Sequence, residues 1–97
     1  MPPSSDYASL HAVVRGRVQG VGFREFVISR ATSARLTGYV RNLPDRRSVE
    51  VVAEGPRTNL DDFLVYLQKG SRLSAVQAVE VHWGPATGGF ADFGVRF

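Results

Sequence analysis

The sequence predicts an α+β sandwich: one antiparallel sheet with two helices on one face. Four segments alternate apolar and polar residues with the period of a strand, and two repeat with the period of a helix. Their order is β-α-β-β-α-β. Each strand offers only one apolar face, as expected of a sheet covered on one side.

Leu10 to Val18 reads as the first strand. Leu10, Ala12, Val14 and Val18 lie on one face, and His11, Arg15 and Arg17 on the other. Phe23 to Leu36 reads as a helix, with Phe23, Val27, Ala31 and Ala34 at helical spacing. Tyr39 to Leu43 is a short strand, and Pro44-Asp45 starts a turn. Val49, Val51 and Ala53 alternate with Glu50 and Glu54, so this segment forms a hairpin with the strand before it. Gly55-Pro56 breaks the strand, and Thr58 is placed to cap a second helix. Leu60, Phe63, Leu64 and Leu67 form its buried stripe, and Gly70 ends it. Val79, Val81 and Trp83 mark a further strand, with Trp83 expected in the core. Phe93, Val95 and Phe97 form a short extra strand to the C-terminus. The order suits a ferredoxin-like βαββαβ sandwich.

The 97 residues fit one domain, 1–97, with residues 1–6 expected as a flexible tail. With 43% hydrophobic residues the chain can bury a real core. It has no cysteine, which excludes disulfides and thiolate chemistry. No run is long and apolar enough to span a membrane, and no signal-peptide core is present, so a cytoplasmic protein with no membrane partner is expected. The net charge of +3 comes almost wholly from arginine, with Lys69 the only lysine. A positive field favours anionic ligands. His11 and His82 lie on separate strands without a third ligand, so no metal and no cofactor are expected. A self-contained domain of this size is expected to be a monomer.

The run Gly16-Arg17-Val18-Gln19-Gly20-Val21-Gly22-Phe23-Arg24 carries the chemistry. It joins a strand to a helix, with glycines where the turn needs them. Amides of such a loop and of a helix N-terminus converge on an anion. Arg24 adds a bidentate clamp of fixed charge. In a βαβ unit the loop leaving the first strand and the end of the second strand share one edge. Asn42 therefore falls beside the loop.

These residues resemble the phosphate-binding signature of the acylphosphatases. Leu36-Thr37-Gly38-Tyr39-Val40-Arg41-Asn42 is similar to that family's next motif. Val49-Glu50-Val51, Glu54-Gly55 and Phe93-Gly94-Val95-Arg96-Phe97 follow in the family's order. The resemblance implies hydrolysis of small acyl phosphates to a carboxylate and inorganic phosphate, the latter or similar anions binding as product or inhibitor. It gives Arg24 the role of the phosphate-binding arginine and Asn42 that of the residue orienting the attacking water. The amides of Gln19, Gly20, Val21, Gly22, Phe23 and Arg24 would hold the phosphate oxygens. The chain departs from the family pattern at Arg35, where a glycine usually ends the helix, and in the longer turn Asp45-Arg46-Arg47-Ser48. Tyr39 and Phe97 stand where tryptophan and tyrosine are common.

Two rival readings differ in class. Gly20-Val21-Gly22-Phe23-Arg24-Glu25-Phe26 superficially resembles the aromatic run of the RNA-recognition motif, and the positive charge would suit it. That run belongs on the third strand, which here offers valines and glutamates, so no nucleic-acid partner is expected. A non-catalytic module on the same fold is the other.

Overall fold

The structure, a computed structural model, describes residues 6–97; residues 1–5 of the expected tail lie outside them. Strand β1 spans Tyr7–Arg17, helix α1 Phe23–Ser33, β2 Thr37–Asn42, β3 Ser48–Pro56, α2 Arg57–Lys69, β4 Ala75–Pro85 and β5 Phe93–Val95. The sheet order is β4-β1-β3-β2-β5. β1 pairs antiparallel with β3 and β4, and β2 antiparallel with β3. The short β5 pairs parallel with β2, so the extra strand makes the sheet mixed.

Leu10 and Val14 of β1, Val40 of β2 and Val51 of β3 lie fully buried under the helices. Phe23, Val27 and Ala31 of α1 and Leu60, Phe63 and Leu67 of α2 close over them. Each large side chain so buried is worth about 2 kcal/mol in removed apolar surface. On the opposite face His11 Nε2 lies 2.8 Å from Glu50 Oε2, and Arg41 Nε donates to Glu50 Oε1 at 2.5 Å. Burial opposes the charge on Glu50, but the hydrogen bonds from His11 and Arg41 outweigh it and hold the carboxyl below its ordinary value.

Glu54 is a different kind of buried acid. It is 5% exposed and accepts from the Thr87 N–H, the Gly88 N–H and the Thr87 hydroxyl at 2.9, 3.0 and 2.7 Å. One carboxylate thus pins the loop after β4 to the sheet.

Four expectations are corrected. Thr58 does not cap α2: the helix starts at Arg57, directly after Pro56, and the Thr58 hydroxyl lies within it, 3.3 Å from Asn59 Oδ1. Proline at the junction removes a donor that would need a cap. Trp83 is not core. It sits 36% exposed near the end of edge strand β4, with the Arg57 guanidinium 3.6 Å from its ring centroid. The last strand stops at Val95, and Phe97 is 97% exposed. Helix α1 ends at Ser33 rather than Leu36, because Arg35 turns into the left-handed region at φ 58.

Candidate active site at the loop between β1 and α1

The loop Val18–Gly22 is pinned at both ends and open in the middle. Val18 and Phe23 are each 1% exposed and rooted in the core, while Gly20 and Gly22 face solvent. Gly20 and Gly22 have φ of 75 and 76, a conformation in which glycine alone is free of strain. A Cβ at Gly20 would meet nothing within 4 Å, so backbone conformation rather than crowding requires glycine there.

Gly22 stands at the N-cap of α1 and has no side chain to offer the helix start. Its carbonyl accepts the Phe26 N–H at 3.1 Å. The amides of Phe23, Arg24 and Glu25 precede the first intrahelical bond, so they remain available to an outside acceptor. Arg24 lies in this first turn, half-buried, with its guanidinium 5.8 Å from the Phe97 ring centroid.

Asn42 is the last residue of β2. β1 and β2 both run antiparallel to β3, so they run parallel to each other and end at the same edge. Asn42 pairs with Val49 and shares the helix-covered face with Val40. Its Oδ1 is buried and, among the described residues, has no hydrogen-bond partner. A buried acceptor left unbonded costs about 1–3 kcal/mol, so such an atom in a native fold calls for a partner or a role.

The fold brings the loop to this edge through a side chain. Gln19 Nε2 donates to Leu43 O at 2.9 Å and to Ser48 O at 2.8 Å. Those carbonyls flank the turn between β2 and β3, and Leu43 follows Asn42 directly. The sequence reading gives Gln19 only a backbone amide; the signal for its second role is a lone polar side chain in a loop of valines and glycines. The turn is itself fixed by Asp45, whose carboxylate accepts from the Arg47 N–H, the Ser48 N–H and the Ser48 hydroxyl at 2.9, 2.9 and 2.6 Å. These bonds, the Ser48 hydroxyl's first, hold the Asp45 carboxyl below its ordinary value.

Comparison with known proteins establishes the family and the fold. The acylphosphatase family model matches residues 10–95. The acylphosphatase of Thermus thermophilus is 56% identical over 79 residues, which cover 81% of this chain and 89% of that protein. The crystal structure of an acylphosphatase from Bacillus subtilis superposes with a TM-score of 0.88 at 37% identity, covering 93% of this chain and 99% of that one. An acylphosphatase structure from Coxiella burnetii superposes at 0.89 with 34% identity, covering 99% of both chains. The chain belongs to the acylphosphatase family, enzymes that hydrolyse acyl phosphates.

Proposed function

We propose that Arg24 and the amides from Gln19 through Arg24 hold the phosphate of a small acyl phosphate, and that Asn42 positions the attacking water. The observation that carries this reading is the unbonded, buried Asn42 Oδ1, next in sequence to the carbonyl that Gln19 ties to the loop. An acceptor there takes one proton of a water in a hydrogen bond and fixes its oxygen in line with the bond to be broken.

The water oxygen bonds to phosphorus as the bond from phosphorus to the acyl oxygen breaks. The acyl group leaves as a carboxylate. Its conjugate acid has a pKa of roughly 4, so it needs no general acid. One water proton passes to a phosphate oxygen, and the products are the carboxylate and protonated phosphate. The guanidinium and amides stabilise charge on the phosphoryl oxygens, which is the main demand of this chemistry. An amide is no base at neutral pH, and the nearby carboxylate of Asp45 is already engaged by three donors. Glu54 lies toward the opposite end of β3 from Val49, the partner of Asn42. The site uses no metal and no cofactor, and the protein works as a cytoplasmic monomer. Against an RNA surface, the open face of β3 presents Glu50, which repels phosphates, and Val52, which stacks no base.

Hydrolysis of acetyl phosphate in ¹⁸O-labelled water with excess chelator tests this mechanism. The expected result is full turnover with the label in phosphate. Label in acetate would place the attack on carbon and overturn it, and loss of turnover on chelation would overturn metal independence.

A further inference from the structure

Next to the loop lies a cleft of about 350 Å³ whose walls include Arg17, Gln19, Arg46, Arg47 and Gln77. We propose that it binds a second anionic group at the far end of the acyl chain, making the enzyme selective for acyl phosphates that carry one. The inference rests on the phosphate-holding role given above to the loop. Gln19 belongs to both the loop and the cleft, so the arginines adjoin the loop in which the substrate phosphate is placed. A four-carbon chain occupies roughly 100 Å³, well inside this space.

The cleft is built rather than incidental. Arg47 Nη2 donates to Gln77 Oε1 at 3.1 Å, and Arg47 O accepts the Gly16 N–H at 2.9 Å. These bonds lock the hairpin turn to β4 and to the end of β1. Arg46 sits at φ 64, where glycine would be the unstrained choice, and the Asp45 bonds hold the turn in that shape. Among the described residues no carboxylate lies within 4 Å of the side-chain nitrogens of Arg17, Arg46 or Arg47. Three uncompensated guanidinium groups around one cleft select for negative charge.

Succinyl phosphate and butyryl phosphate test the idea, because they share a four-carbon chain and differ in the terminal carboxylate. The native protein is expected to show a kcat/KM about fivefold higher for succinyl phosphate, expressed in KM rather than kcat. The Arg46→Gln/Arg47→Gln double variant should bring the ratio close to one. Arg35→Gly, which removes a charge at the other end of the sheet, should leave the ratio as it was. Turnover of both substrates at equal kcat/KM, or a preference that survives in the double variant, overturns this inference alone. No turnover of either substrate overturns the hydrolysis reading with it.

Discussion

Replacing Gln19 with leucine probes how the loop is held to the end of β2. The side chain makes two hydrogen bonds, at 2.9 and 2.8 Å, to Leu43 O and Ser48 O. Neither carbonyl is orphaned by the change. Leu43 O keeps the Arg46 N–H at 3.3 Å, and Ser48 O keeps the Leu43 N–H at 2.9 Å. The cost is therefore two ordinary hydrogen bonds at about 1 kcal/mol each, without the larger penalty of an unbonded group. Leucine fills a similar volume, so no cavity adds to the loss. A destabilisation of about 2 kcal/mol, or roughly 10 °C in Tm, is expected. Activity should suffer more than stability. A loop displaced by about 1 Å relative to Asn42 loses on the order of a hundredfold in rate. Urea unfolding followed by circular dichroism gives the first number, and kcat/KM for acetyl phosphate, measured where the variant is folded, gives the second. A variant that loses the stability yet keeps activity within twofold of the native protein would refute the reasoning, since the tie would then not set the geometry of the site.

Other substitutions separate stability from activity. Arg35→Gly relieves a left-handed residue at φ 58; the strain of about 1–2 kcal/mol, less the added backbone entropy of glycine, leaves a gain of about 0.5–1 kcal/mol in thermal unfolding. Its kcat should not change, because it lies at the edge opposite Asn42. Gly22→Ala meets nothing nearer than Glu25 Oε1 at 3.8 Å, so it costs about 1–2 kcal/mol in backbone strain and not in clash, and inorganic phosphate should inhibit the variant more weakly. For Glu54, burial favours the neutral form, but the Thr87 hydroxyl and the Gly88 and Thr87 N–H groups win and keep its pKa below the ordinary value. A lowered folded-state pKa stabilises above the unfolded value and is lost as pH falls through the folded one, so native stability should drop below about pH 4. Glu54→Gln should be less stable at pH 7 by about 1–3 kcal/mol and lose less on acidification, as read from urea midpoints across pH.

The parts of the fold visible in the sequence are those where burial is one-sided. Leu10, Ala12 and Val14 alternate cleanly because β1 is central and covered by helices on one face. Leu60, Phe63 and Leu67 declare α2 for the same reason. Strand β4 begins at Ala75, four residues before the first valine assigned to it, because an edge strand needs little apolar patterning at its solvent-facing end. Trp83 misleads at the other end of this strand: its size predicts burial, but its position near the strand end lets Arg57 cover it instead of the core. At the candidate site, the glycines are legible because φ restricts the choice of residue. The side-chain role of Gln19 is not, since its acceptors are backbone carbonyls 24 and 29 residues away, and carbonyls leave no mark on sequence. Glu54 escapes for the opposite reason. Its alternation predicts an open-face acid, and only the loop at Thr87 and Gly88 makes it a buried anchor.

The central claim is that Arg24 holds the phosphate and Asn42 holds the water. Its most direct test is the turnover of acetyl phosphate by the native protein, Arg24→Ala and Asn42→Ala, with inorganic phosphate as competing ligand. Each variant should lose at least about a hundredfold in kcat/KM. Phosphate inhibition should vanish in Arg24→Ala and persist in Asn42→Ala, because the proposal gives phosphate contact to the first residue and not to the second. Equal turnover by all three proteins, or phosphate inhibition that survives in Arg24→Ala, would contradict the account.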